Sequence, residues 1–412
     1  MASKVKATTT TAAPTTNGHL PKGWRMVRFG EVVRDVNEAE RSPLDAGLER
    51  FVGLEHIEPE NLHLKQWGLL ADGEISFTKR FRKGQVLFGK RRAYQRKVAV
   101  AEFDGICSSD ILTFEPKGDV LSPALLPFIV QSEGFLEHAL GTSSGSLSPR
   151  TRWSQLQDYE FPLPPKDEQR RIADILWAAD GSCEAWRSVA AVVGQAFKLL
   201  ADELVSGGNW RNQEFSTWVA PKGWKLMTIG DLVTFQGGSQ PPRDTFEYSP
   251  RDGNIRLIQI RDYKSDEFAT YIPIEAARRF CTRDDVMIGR YGPPIFQILR
   301  GIEGSYNVAL IKAIPTGEIS RDYLYYFLSQ SSLFRLIEHL SQRSSGQTGI
   351  DMDALRSFPF PLPPENVQTQ TLEILHKAEQ SIRHLDEHIR RQKKLANQLF
   401  TSAFDGRGRN VL

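Results

Sequence analysis

Apolar and polar positions alternate along the chain between two regimes, each of which occurs twice. In the first, short apolar runs end at glycine or proline. Gln85-Val86-Leu87-Phe88-Gly89-Lys90 and Asp285-Val286-Met287-Ile288-Gly289-Arg290 each predict a buried strand closed by glycine and a cation. Ile111 to Phe114 and Val308 to Ile311 predict later strands, each ending shortly before a proline, Pro116 or Pro315. A helix is then expected from Ser122, with Pro123 in its first turn, and another from Ser320, where serine caps the free N–H groups. Both lead into Ser-Ser-Gly loops, at Ser143 to Gly145 and Ser344 to Gly346.

In the second regime the apolar period is seven. Ile172, Ala179, Trp186, Val193 and Leu200 form one seam, with Ile175, Val189 and Ala196 as companions. Leu375, Ile382, Ile389, Ala396 and Ala403 form the other, flanked by Ala378, Leu385 and Leu399. This is the period of a coiled coil, and Ser182 and Gln392 interrupt it. Neither helix has a continuous partner in its own half, so the two are expected to pair with each other, antiparallel.

The alternation is a duplication. Pro21-Lys22-Gly23-Trp24 recurs as Pro221-Lys222-Gly223-Trp224, and Phe161-Pro162-Leu163-Pro164-Pro165 recurs at almost the same interval as Phe360-Pro361-Leu362-Pro363-Pro364. Gln169, Ile175 and Leu176 then align with Gln368, Ile374 and Leu375. The expected fold class is α+β: a disordered tail (1–20), a first domain (21–163), a spacer helix (164–206), a linker (207–220), a second domain (221–362), a second spacer helix (363–406) and a short tail (407–412). The proline strings read as rigid hinges before the helices.

Composition narrows the class. With 412 residues and 40% hydrophobic content the chain suits two or three cores. A net charge of +2 means that any attraction to a polyanion comes from local patches. The three cysteines form no CxxC pair, which argues against a zinc ribbon or a disulfide framework and fits a reducing cytoplasm. No apolar run is long enough to cross a bilayer, and Met1 to Asn17 lacks the apolar core of a signal peptide.

The repeated module resembles the specificity subunits of type I restriction-modification systems. The Pro-Lys-Gly-Trp openings, the Ser-Gly loops, the Phe-Pro-Leu-Pro-Pro exits with Gln169 and Gln368, and the two long helices carry the resemblance from Pro21 to about Gly406. It implies that each domain reads one half of a bipartite double-stranded DNA target, while the helices set the spacing and dock two modification subunits. It further implies no catalytic centre and no cofactor in this chain. S-adenosylmethionine, ATP and Mg would belong to the modification and restriction subunits.

The residues offer their own candidates for the DNA contact. Lys79, Arg80, Arg82, Lys83, Lys90, Arg91, Arg92, Arg96 and Lys97 occur with no Asp or Glu between Glu74 and Glu102. Such a run suits phosphate contact with counterion release. The alternative is a basic surface with no ligand. Tyr94 and Gln95 at its tip suit stacking or base-edge hydrogen bonds, and Ser144 and Ser146 lie on the neighbouring serine loop. In the second half Arg256, Gln259, Arg261 and Lys264 occupy one strand and its turn, while Arg290, Tyr291, Gln297 and Arg300 flank the next hairpin. Gln342, Arg343, Ser345, Gln347 and Thr348 are expected on a polar loop.

Other motifs fail on context. Gly84 to Lys90 has the spacing of a phosphate loop, but Arg91 replaces the Ser or Thr that would hold magnesium. His384-Leu385-Asp386-Glu387-His388 spells a zinc-peptidase string on a helix flank, with no partner ligand motif. Methyltransferase, helicase and nuclease signatures are absent from the sequence. The readings that compete with a specificity subunit are an enzyme with a divergent catalytic centre and a structural protein that reuses the repeat.

Overall fold

The computed structural model describes residues 20–73, 75–145, 149–212, 214–343 and 349–404. The chain forms two compact units, residues 1–186 with 388–412, and residues 187–387. Each long helix is therefore shared, one by the end of its run and the other by its beginning.

In the first unit the chain opens with strand Arg25–Arg28, which pairs antiparallel with Glu160–Leu163. The first three residues of the Phe-Pro-Leu-Pro-Pro string are thus strand, and only Pro164 and Pro165 act as the hinge. Pro162 is accommodated because a two-stranded ribbon leaves one side of each strand unpaired. A four-stranded sheet follows in the order Val33–Asp35, Ile111–Pro116, Val86–Gly89, Val98–Val100. Beside it a five-stranded sheet runs Glu38–Ala39, Lys79–Phe81, Gly105–Cys107, Arg50–Val52, Gly68–Leu69, with Arg50–Val52 parallel to Gly105–Cys107. The core between the four-stranded sheet and the helices is aromatic: Phe29 lies within 6.5 Å, ring to ring, of Phe114, Phe135, Trp153 and Phe161.

The second unit repeats this topology. Lys225–Thr228 pairs with Pro359–Leu362, and the four-stranded sheet is Val233–Gly237, Leu310–Pro315, Val286–Gly289, Gln297–Leu299. Its second sheet is Thr270–Pro273, Asn254–Ile258, Gly304–Tyr306, Phe280–Cys281, again with one parallel pair, Asn254–Ile258 with Gly304–Tyr306. Phe327 stacks on Phe360 at 3.8 Å in the core.

Several expectations need correction. No helix starts at Ser122: residues 122–125 form a turn closed by the Leu125 amide on the Ser122 carbonyl, and helix Leu126–Gln131 begins after it. In each half the single expected helix is two. Ser132 stops the first and caps Glu133–Gly141 by accepting from the Phe135 amide, while Arg321–Leu328 and Ser331–Arg343 are separated at Ser329 and Gln330. Ser320 does cap its helix, accepting from the Tyr323 amide. Strand Leu310–Pro315 starts two residues later than the expected Val308 and runs through the proline.

The two aligned glutamines have one job. Gln169, 1% exposed, donates to the Val120 and Pro164 carbonyls, and Gln368 donates to Glu318 and Pro363. Each staples the proline hinge to the loop beneath the helix start. Ser–Pro punctuation set the sequence pattern, but the buried amide sets the joint.

The long helices are Lys166–Ser206 and Glu365–Phe404. In the second, Leu375 is buried and Ala378, Ile382, Leu385, Ile389 and Ala396 are half-buried, as the seven-residue count expects. The first keeps phase only at its start: Ile172 is buried and Ile175 and Ala179 are half-buried, but Trp186, Val189, Val193, Ala196 and Leu200 are exposed, and the covered stripe there runs through Cys183, Ala190, Gly194, Phe197 and Ala201. Small residues dominate that later inner stripe, so counting larger side chains selected the outer one.

Each unit also holds its domain to its helix by an acid standing eleven residues after the stapling glutamine. In the first unit it is Asp180, whose carboxylate lies 2.7 Å from Nε2 of His63; Lys65 reaches Glu184 one turn on at 2.6 Å. In the second it is Glu379, 3.5 Å from Arg300, whose guanidinium also bonds Asp322 at 3.0 Å and lies over the Tyr325 ring at 3.8 Å. Arg300 is therefore a strut and not a free DNA contact. No helix among the described residues is long and apolar enough to cross a membrane.

Candidate nucleic-acid interface

The basic segment 79–97 spans three structural roles. Lys79 is 9% exposed on a central strand, with Nζ 3.1 Å from Asp35 and 3.2 Å from the Ile111 carbonyl. It is a buried ion pair, not a phosphate contact. Arg80 lies 3.9 Å from Glu40 and Arg82 2.8 Å from Glu38. Lys83 is exposed at the preceding turn, and Lys97 donates to the Leu54 carbonyl at 2.6 Å. The carboxylates missing from the segment arrive from neighbouring strands, so the unbroken positive run in sequence is largely neutralised in space.

What remains positive is the hairpin between strands Val86–Gly89 and Val98–Val100. Its tip is a single 3-10 turn, Ala93–Gln95, flanked by Arg92 and Arg96, both with left-handed backbone. The four non-glycine residues of positive φ among the described residues are Glu60, Arg92, Arg96 and Phe296. The first three meet at this hairpin, and Phe296 lies on its counterpart in the second unit. Such backbone costs of order 1 kcal/mol or more per residue and persists where the surroundings enforce it, a pattern common at functional sites.

The neighbourhood completes the patch. Arg92 N–H donates to the Pro149 carbonyl, Thr151 N–H to that of Lys90, and Arg91 bridges to Arg150. Ser144 and Arg150 exchange both backbone hydrogen bonds, which fixes the serine loop against the hairpin. Arg91 and Arg150 share one carboxylate, Asp110, at 3.5 and 3.3 Å. Exposed Arg92, Tyr94 (55% exposed) and Ser144 sit beside this two-to-one cluster, with half-buried Gln95. Lys90 lines a cavity of about 370 Å³ with Asp35, Asn37 and Ser109. Burial, reinforced by the charge of Lys79, pushes its ammonium below the ordinary lysine value. The patch therefore offers excess positive charge, an exposed ring and a carboxamide on one rigid loop pair. Arg150 belongs to it and escaped the sequence reading; its signal was a lone arginine closing the serine loop. Arg96 does not offer its guanidinium freely, for it lies 2.6 Å from Glu133.

The equivalent hairpin in the second unit links Val286–Gly289 to Gln297–Leu299. Arg290 N–H bonds the Ala309 carbonyl just as Lys90 N–H bonds that of Asp110. Tyr291 is 45% exposed with the Arg290 guanidinium 5.7 Å from its ring centre, and Gln297 donates to Pro294. A Cβ on Gly289 would sit 3.3 Å from Ile260, so glycine seats the turn Ile260–Tyr263, which carries Arg261, against the strand end that carries Arg290. Gly89 makes the same approach to Leu54. Arg261 lies over Phe268 and donates to its carbonyl, while Arg256 pairs with Asp266 at 2.7 Å and Gln259 donates to Thr270. Gln342 and Arg343 end helix Ser331–Arg343 and do not form a loop. Ser146, Ser345, Gln347 and Thr348 lie outside the described residues.

Burial pushes the Cys107 thiol up to about 12 and that of Cys281 to about 11, so neither supplies a thiolate near neutral pH. No group of three metal-ligating side chains occurs among the described residues. His388 of the zinc-like string packs edge-on against Trp186 at 4.8 Å.

Comparison with known proteins agrees with the duplicated architecture. The chain is 29% identical over 173 residues to the type I restriction enzyme EcoDI specificity subunit of Escherichia coli, a match covering 39% of this chain and 36% of that subunit. It is 25% identical to the MjaIX specificity subunit of Methanocaldococcus jannaschii over 59% of each chain, and 21% identical to the MjaVIII specificity subunit of that organism over 93% of each. The chain thus spans little more than a third to three fifths of the first two relatives. Its fold matches a chain from a solved structure concerned with complex assembly and conformational transition of the type I R-M system, with TM-score 0.55 at 20% identity over 93% of this chain and 98% of that one. The family model described as type I restriction modification DNA specificity domain matches residues 21–185 and again 221–392, so most of the chain is accounted for by two copies of one domain. The chain belongs to the type I restriction modification DNA specificity domain family.

Proposed function

We propose that this chain is the DNA-reading specificity subunit of a type I restriction-modification complex, each domain recognising one half of a bipartite double-stranded target. The observation that carries the reading is the repeated hairpin. In both units a glycine-ended strand leads into a constrained tip that bears a cation and an exposed tyrosine, with glutamine alongside. Cations at such a tip hold phosphates, and arginine, glutamine and tyrosine reach base edges or stack.

The long helices are the spacer, paired antiparallel with each other. The aliphatic stripe that the first helix leaves exposed, Val189, Val192, Val193, Leu199 and Leu200, fits docking of the modification subunits. Catalysis then belongs to those subunits and to restriction subunits, which hold S-adenosylmethionine, ATP and Mg; this chain carries none of them. Its place of work is the cytoplasm, where the target DNA is.

The test is the pattern of methylated adenines in DNA from cells that carry the chain with its neighbouring open reading frames. A two-part motif with a fixed gap is expected, and loss of both parts when the chain is deleted. A continuous motif, or one indifferent to the deletion, overturns the reading.

A further inference from the structure

The strained hairpin of the first unit is tied to something besides its own sheet. Glu60, itself in left-handed backbone, donates its amide to the Arg96 carbonyl at 3.0 Å, so the two unusual residues lock back to back. The Arg96 guanidinium lies 2.6 Å from Glu133 and 3.8 Å from the Glu60 carboxylate. The other oxygen of Glu60 accepts a hydrogen bond from Nζ of Lys393, on the last turns of the second long helix. Two acids and two cations alternate without a break: Lys393, Glu60, Arg96, Glu133. Arg96 closes the 3-10 turn whose other positions are Ala93, Tyr94 and Gln95.

Magnitudes say what this chain of charges does. Its side chains are between 33% and 59% exposed, so each pair adds little to stability. That is too little to hold the domain together. A small shift in the angle of a base contact, however, changes discrimination between bases severalfold. A network this weak matters only where a small change in geometry is amplified, and the tip of the hairpin is such a place.

We infer that Lys393 is a positioning residue for base reading by the first domain: through Glu60 and Arg96 it fixes the angle at which Tyr94 and Gln95 meet the DNA. The inference rests on the assignment of the hairpin to DNA contact. It makes the second helix part of the first domain's reading head, although Lys393 itself touches no base.

The experiment uses the full chain and a pool of duplexes with two randomised segments separated by gaps of varied length, with sequencing of the bound fraction. Tyr94→Ala with Gln95→Ala identifies the half-site read by the first domain as the one whose selectivity it removes. Lys393→Met is expected to blur the base preference of that half-site about fivefold or more, leaving the other half-site and the salt dependence of total affinity unchanged. Lys393→Arg restores the preference, because it keeps the charge. If the Tyr94 and Gln95 double variant blurs a half-site and Lys393→Met leaves both sharp, the positioning role is wrong while the interface stands. If that double variant leaves both half-sites sharp, the interface assignment itself has failed. Equal blurring of both half-sites by Lys393→Met would mean that it loosens the fold generally, and would also overturn the inference.

Discussion

The two domain–helix joints should respond differently to pH. Both place an acid of the long helix against a cation of the domain, but the first uses His63 and the second Arg300. The hydrogen bond that the His63 ring donates to Asp180 raises the His63 pKa above its ordinary 6.5 against the opposing effect of burial, with Asp180, Glu102 and Glu184 all adding attraction for the proton. Lys65, paired with Glu184, is the nearby cation, and the Trp177 ring lies 6.2 Å away. A pKa raised on folding means that the joint is fully stabilised below about 6.5 and loses that contribution as pH rises through the higher folded value. Arginine stays charged throughout. The 2.7 Å contact joins side chains 29% and 20% exposed. A hydrogen bond to a charged group contributes about 1.5–3 kcal/mol, and partial exposure places this one near the lower end. Losing ~1.4 kcal/mol corresponds to a tenfold rise in local opening. Amide hydrogen exchange, normalised at each pH to unstructured-chain rates, reads this directly. Between about pH 6 and pH 9, protection around residues 61–65 and 177–184 should fall about tenfold, while that around 297–303, held by Arg300 itself, changes much less; His376, 3.6 Å from Asp322, keeps the facing helix out of the comparison. His63→Gln should abolish the difference. Equal pH response at both joints, or an unchanged response in His63→Gln, would refute the reasoning.

Three further outcomes follow from the same structure. Lys79→Met leaves the half-buried Asp35 carboxylate with the Thr113 amide but without its cation and should cost about 3 kcal/mol in denaturant unfolding, whereas Lys83→Met on the exposed turn should cost almost nothing; equal costs would mean that Lys79 is not a core ion pair. Replacing Arg91, Arg92 and Arg150 with alanine should lower the slope of log affinity against log salt by about 0.9 for each phosphate no longer neutralised, and Arg80→Ala with Arg82→Ala should leave it nearly unchanged, since Glu40 and Glu38 already hold those cations; a reversed order would move the interface to the strand. Val192→Lys, at a position 67% exposed, should leave the melting temperature within about a degree of the parent yet prevent co-purification with modification subunits; retained assembly would show that the stripe is not the docking face.

Local grammar was legible in the sequence and cross-strand chemistry was not. The strand ends at Gly89 and Gly289 could be read because an apolar run, a glycine and a cation are contiguous. The fate of Lys79, Arg80 and Arg82 could not, since Asp35, Glu40 and Glu38 are some forty residues away along the chain and adjacent only across the sheet. The first helix misled for a different reason. Hydrophobic counting assumes that the larger side chains face inward, and here Ala173, Ala190, Gly194 and Ala201 do. Serine was ambiguous in another way: Ser122, Ser132 and Ser320 all have the right chemistry for a cap, and the glutamine staples hold the amides of both Ser122 and Ser320, yet Ser320 caps its helix while Ser122 opens a turn. Arg150 could be placed only once its backbone was seen to bridge Ser144 and Arg91.

The ribbon that closes each domain joins its first strand to its last, Arg25–Arg28 to Glu160–Leu163 and Lys225–Thr228 to Pro359–Leu362. Arg25 stands opposite Leu163, and Lys225 opposite Leu362, so the chain enters and leaves each domain at one point. A body with adjacent ends behaves as an interchangeable cassette: everything between the two strands can be replaced without changing how far apart the severed ends must be held. Recombination at the two Pro-Lys-Gly-Trp and Phe-Pro-Leu-Pro-Pro strings would therefore exchange one complete binding surface in a single event. The duplicated strings thus mark, in the protein, the borders at which such a cut leaves both domains whole.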